Sequence, residues 1–121
     1  HFSHDSHTSA IFLTAPQEGD VIFGISHSGE SKDVVIPAEQ AKPPAKIVAL
    51  TGSAKSPLSK IADVCITTVT EEMNYRTEAM LSRLVQLAVI DTLYTTIGLR
   101  QGASTWERLS KSRQTLSYLK Y

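Results

Sequence analysis

Val21-Ile22-Phe23-Gly24-Ile25-Ser26-His27-Ser28-Gly29-Glu30-Ser31 runs from a short apolar segment straight into a turn of hydroxyls and glycine. Lys32-Asp33-Val34-Val35-Ile36 then opens a helix-like pattern. A strand, a Ser/Gly turn and a helix start together make a place to hold a phosphate. The unpaired N–H groups of the first helical turn point at an anion, and the helix dipole favours negative charge there. Ser26, Ser28 and Ser31 add hydroxyl donors, and Gly29 allows close backbone approach or a positive φ. The same residues leave a generic βα turn open, because Ser and Gly are common in turns of any kind.

Working outward, the expected elements alternate. Val21 to Ser26 reads as a strand, and a helix follows from Ser31 to Lys42, with Pro37 expected to kink it and Pro43-Pro44 to stop it. Lys46 to Thr51 is nearly continuously apolar, as a parallel strand covered on both faces should be. After a polar turn, Pro57 suits the first turn of a short helix, Leu58 to Ala62, and Val64 to Thr68 forms a third strand. Alternation at these intervals signals βαβ units and a parallel sheet, hence an α/β fold. Right-handed crossovers place the turns after Ser26, Thr51 and Thr68 at one sheet edge, where ligands of open α/β sheets bind.

Flanking segments are less decisive. Thr8 to Thr14 suits a short helix, and Asn74 to about Leu99 a long one. Met80, Leu81, Leu84, Val85, Leu87, Ala88, Ile90, Leu93, Tyr94 and Ile97 occupy more than one face of the long helix. A helix apolar that far round needs cover on two sides, so a homodimer or homotetramer is expected. Gly98 and Gly102 end it, and a last helix runs from Trp106 toward Leu119.

Composition narrows the function classes. A chain of 121 residues, 41% hydrophobic, suits a single domain over 1–121 and argues against disorder. Twelve basic residues balance twelve acidic ones, which argues against this segment gripping nucleic acid. Cys65 is the one cysteine and is expected to be a buried, reduced thiol in a cytoplasmic protein. No apolar run approaches a membrane span, and no signal peptide is visible. His1, His4 and His7 lack the partners of a recognisable zinc motif and read as loop histidines, so no metal is expected. No cofactor is expected either.

Three passages, in order, carry a family resemblance. Gly24 to Ser31 resembles the sugar-binding turn of SIS (sugar isomerase) domains. Ile47 to Thr51 followed by Ser56-Pro57-Leu58-Ser59-Lys60-Ile61-Ala62-Asp63 resembles their next strand and its "SPLA…AD" segment. Glu71-Glu72-Met73-Asn74-Tyr75-Arg76, Ser82-Arg83, Gln86-Leu87 and Val89 to Tyr94 resemble the closing helix of one branch, the RpiR-type bacterial transcriptional regulators. The resemblance spans about residues 5 to 100 and implies a three-layer sandwich with a parallel sheet in flavodoxin-like order.

It further implies that Ser26, Ser28 and Ser31 bind the phosphate of a phosphosugar, with His27 in the same turn and Gly29 and Glu30 contributing backbone. Thr51 would sit near that pocket. Glu72 matches the acidic residue that contacts the sugar in SIS domains and acts as base in the isomerases. Asp5 and His7 match a D-x-H loop segment more weakly. The implied function is a phosphosugar-sensing effector domain of a regulator, with DNA bound by a separate helix-turn-helix domain outside this chain. An aldose–ketose phosphosugar isomerase is the alternative, with Glu72 as general base. The family's first strand, with its G-x-G-x-S turn, has no counterpart here, so the chain is expected to be a fragment of the domain. The proline residues Pro37, Pro43 and Pro44 also depart from the family pattern.

Overall fold

The computed structural model describes residues 15–70 and 80–102, together with Glu107, Ser110 to Ser112, Gln114, Thr115 and Ser117. The element order is β1 (Val21–Ile25), α1 (Lys32–Gln40), β2 (Lys46–Thr51), α2 (Pro57–Ile61), β3 (Val64–Thr67) and α3 (Met80–Gln101). The strands form one parallel sheet in the order β1-β2-β3, as the alternation of strand and helix requires. Register sets Gly24 beside Ala49 and Ile25 beside Leu50, then Leu50 beside Ile66 and Thr51 beside Thr67. The carboxyl ends of all three strands therefore lie at one edge. The chain divides into two compact units, residues 1–86 and 87–121, and everything that follows about the sheet and its turns belongs to the first.

β2 is the centre of the core. Ile47, Ala49, Leu50 and Thr51 are fully buried, and Ile47 and Ala49 pack with Ala38 of α1 and Leu58 of α2. Ile22, Val34, Val35, Ile61 and Ala62 close around that cluster. Gly24 is what lets the helices approach β1, since a Cβ there would stand 3.2 Å from Leu58 Cδ1 and 3.4 Å from Val34 Cγ1. Burying Leu58 alone is worth about 1.5–3 kcal/mol.

Some expectations change. α1 begins at Lys32 and runs through Pro37 to Gln40, where the Ala41 N–H donates to the Pro37 carbonyl. Proline removes its own donor but leaves its carbonyl available, so the last turn still closes. Cys65 is exposed, not buried. Its strand is an edge of the described sheet, and Cys65 sits beside the buried Ala49 yet beyond the cover of the helices. An apolar run does not distinguish a central strand from an edge one. β1 is also one-sided: Val21, Phe23 and Ile25 are exposed, while Gly24 is buried. The described part of the long helix starts at Met80, and the described positions from Glu107 to Ser117 are helical, consistent with the last helix. Thr8 to Thr14 and the His1, His4 and His7 cluster lie outside the described residues. Among the described residues no helix is long and apolar enough to cross a membrane, and no group of side chains could hold a metal ion.

At the amino end of the strands, Asp63 ties three elements together. Its Oδ2 accepts from the Ile47 N–H at 2.7 Å, and its Oδ1 lies 3.2 Å from Lys42 Nζ and 3.8 Å from Lys46 Nζ. Lys42 Nζ also donates to the Ile61 carbonyl at 2.7 Å. The Ile47 N–H bond, reinforced by both lysines against partial desolvation, holds the Asp63 carboxyl below its ordinary value of 3.8. A carboxylate with a lowered folded pKa stabilises the fold above the unfolded value, and that contribution is lost as pH falls through the folded one. Asp63→Asn should therefore lower Tm near neutral pH. The gap to the parent protein should close as pH is taken below about 4, read from thermal melts at stepped pH.

Candidate functional site

The turn after β1 is held from inside. Ser26, nearly buried, accepts the Gly29 N–H at both its carbonyl and its Oγ, each at 3.1 Å. Its own hydroxyl donates to Ser31 Oγ at 3.2 Å. Gly29 has φ +67, a left-handed conformation that costs an L side chain about 1–3 kcal/mol. The Ser28 hydroxyl accepts the Glu30 N–H at 3.2 Å. Ser28 and Ser31 are exposed, and each uses its oxygen as an acceptor here, so each keeps a hydroxyl proton for an outside ligand. Ser26, by contrast, has committed its proton within the turn.

α1 starts directly behind. Ser31 is its N-cap but makes no side-chain capping bond, because its hydroxyl faces Ser26. The Ser31 carbonyl takes the N–H groups of both Val34 and Val35, at 3.0 and 2.9 Å. The N–H groups of Lys32 and Asp33 are left without an intrahelical acceptor, as at any helix start, and with the dipole they make an anion-favouring pole. Lys32 adds positive charge there, and Asp33 and Glu30 subtract from it.

The second turn braces the first. Thr51 is fully buried at the end of β2; its Oγ1 donates to the His27 carbonyl at 3.1 Å and accepts the Ser53 N–H at 3.2 Å. The Gly52 N–H donates to the same His27 carbonyl at 2.8 Å. The His27 ring lies against Gly52, where a Cβ would come within 2.9 Å of its Cε1 and Nδ1. Ser56 caps α2 by accepting the Ser59 N–H at 3.3 Å and donates to the Ser53 carbonyl at 2.9 Å. The Leu58 N–H then reaches back to the Gly29 carbonyl at 3.0 Å. A Cβ on Gly29 would collide with Ser56 Oγ and Cβ and stand 2.8 Å from Thr51 Oγ1.

The structure thus brings Ser26, His27, Ser28, Gly29, Glu30, Ser31 and Thr51 to one sheet edge. Ser28 and Ser31 face outward, and Thr51 acts from behind the turn. Glu72, Asp5 and His7 lie outside the described residues. Sequence reasoning gave Ser56 no role beyond the polar turn before the short helix, whereas its hydroxyl walls in Gly29. The Ser-Pro pair was the available signal for the cap, but nothing local pointed to the contact across the two turns.

The two turns, braced against each other at the end of a parallel sheet, have a counterpart family among known proteins. The SIS domain family matches residues 3–96. This chain belongs to the SIS domain family. Over 121 residues it is 43% identical to an uncharacterized HTH-type transcriptional regulator of Thermotoga maritima, covering 99% of this chain and 43% of that protein. A second such regulator, from Caldanaerobacter subterraneus, is 37% identical over 119 residues, covering 98% of this chain and 41% of that protein. The SIS domain described here therefore spans less than half the length of the curated relatives it matches. Among solved structures, the Vibrio vulnificus NanR protein complexed with ManNAc-6P superposes with a TM-score of 0.86 at 24% identity, covering 98% of this chain and 46% of that one. The sugar isomerase domain of an RpiR transcription factor from Sphaerobacter thermophilus gives 0.73 at 23% identity, covering 88% and 58%. At these identities the likeness is one of fold.

Gly29→Ala tests the interlock. It should lower Tm and abolish anion binding at the turn together, because the added methyl must displace Ser56 or unwind the turn; a thermal melt and a phosphate titration on the same sample check both.

Proposed function

We propose that this SIS domain is the phosphosugar-sensing effector domain of a transcriptional regulator of the RpiR type. One observation carries the reading: outward Ser28 and Ser31 hydroxyls stand at a helix start with free N–H groups, on a turn locked by Gly29. Such a site binds a phosphate without a metal or a cofactor. The regulator relatives support the link to transcription, and the NanR complex supports a sugar phosphate as the kind of ligand. DNA would be read by a helix-turn-helix domain elsewhere in the full-length protein, in the cytoplasm. Exposed Leu84, Leu87, Tyr94, Ile97 and Leu99 on α3 favour a homodimer or homotetramer.

Ser28 and Ser31 are the donors that matter most in this reading. Losing a hydrogen bond to a charged group costs about 1.5–3 kcal/mol, so Ser28→Ala or Ser31→Ala should weaken phosphosugar binding roughly 10- to 100-fold. Calorimetric titration of the full-length protein checks this, and unchanged affinity in both variants would place the phosphate elsewhere.

Sensor and isomerase part company at Glu72. A carboxylate can accept hydrogen bonds from sugar hydroxyls, but isomerisation also needs a second group to protonate the neighbouring oxygen. Incubated with aldose and ketose phosphates, the full-length protein should return them unchanged, while Glu72→Ala loses affinity. Interconversion by the parent protein, abolished in Glu72→Ala, would make it an enzyme.

A further inference from the structure

Among the described residues, two buried side-chain polar atoms have no hydrogen-bond partner: Thr68 Oγ1 and Gln86 Nε2. Both residues are more than nine-tenths buried, at 5% and 7% exposure. A buried unpaired donor costs about 1–3 kcal/mol, so such groups call for a reason. Their place in the fold supplies one.

Thr68 stands at the carboxyl end of β3, where its N–H donates to the Thr51 carbonyl at 2.9 Å. It therefore belongs to the same sheet edge as the Ser26–Ser31 turn, with β2 between them. Two strand spacings of about 4.8 Å separate the turn from this point, roughly 10 Å, which an extended six-carbon phosphosugar can span. Thr67 pairs with Thr51, and successive strand residues alternate faces, so Thr68 lies on the face away from α1 and α2. Two residues beyond Thr68, Thr70 Oγ1 lies 2.6 Å from Ser82 Oγ at the start of α3. Gln86 follows Ser82 by one helical turn on the same side of α3, and these two are the buried residues of the helix.

We infer that Thr68 and Gln86 form the sugar-reading end of the site, taking an oxygen-bearing group of the ligand remote from its phosphate. Gln86 Nε2 can only donate, and Thr68 Oγ1 can donate or accept, so the group they fit is a hydroxyl or a carbonyl oxygen, including that of an N-acyl sugar. The turn after β1 then supplies affinity for any phosphate, and this pair supplies choice among sugars. A polar site that must be filled rejects ligands lacking the matching oxygen. The inference rests on the phosphosugar reading above.

Thr68→Val and Gln86→Glu, near-isosteric changes, separate the possibilities in the full-length protein. The probes are glucose 6-phosphate, fructose 6-phosphate, N-acetylmannosamine 6-phosphate and inorganic phosphate. For the tightest of the three sugars, each variant should bind about 10-fold more weakly, while inorganic phosphate binds as before. Without ligand, the Tm of Thr68→Val should hold or rise, because a methyl replaces an unpaired hydroxyl. Unchanged sugar affinity in both variants overturns the inference. So does a lowered Tm with sugar and phosphate affinity falling in parallel, which would make the pair a structural bridge. A parent protein that binds inorganic phosphate but none of the sugars overturns the phosphosugar reading itself, and this inference with it.

Discussion

The missing side chain of Gly29 is the constraint on which the site depends. Its left-handed backbone turns the chain from β1 into α1, its N–H is held by Ser26, and its carbonyl receives the Leu58 N–H from the next loop. Where a Cβ would stand, Ser56 and Thr51 already are. Two loops far apart in sequence are thereby locked as one surface. The lock also fixes which hydroxyls are spent inside it and which remain free: Ser26, Thr51 and Ser56 hold the turn, while Ser28 and Ser31 face outward.

Electrostatically the site is modest. Lys32 is offset by Asp33 and Glu30 around the helix start, so an anion bound there would be held by directed N–H and O–H donors and the dipole more than by net charge. In the proposed reading the turn alone would discriminate little among phosphorylated compounds, and the buried Thr68 and Gln86 would supply that choice. The charge cluster of Asp63 with Lys42 and Lys46 sits at the opposite ends of the strands and stabilises the sheet without touching the ligand edge.

The parallel α/β fold was legible in the linear chain, and so was the polar turn after β1, because both rest on local chemistry. Three β-branched-rich runs, each emptying into a polar turn, allow little besides βαβ units. Ser, His and Gly between a strand and a helix start suit an anion site and equally a generic βα turn. Edge and centre were not legible: Val64-Cys65-Ile66 is as apolar as β2, yet Cys65 is exposed because its strand lies beyond the helices. Val21, Phe23 and Ile25 in β1 are equally apolar and are likewise exposed.

What the sequence by itself determined is therefore the set of elements and the turn that offers hydroxyls and N–H groups, since these follow from residues a few positions apart. What only the tertiary structure decided is the division of labour among equivalent-looking hydroxyls. Ser26, Thr51 and Ser56 donate their hydroxyl protons within the turns, Ser28 and Ser31 only accept there, and Thr68 is buried with its Oγ1 unpaired. A hydroxyl's role depends on which acceptor packing brings within about 3 Å: for Thr51 it is the His27 carbonyl of the other turn, 24 residues away, whereas Ser26 and Ser56 find theirs within their own turns.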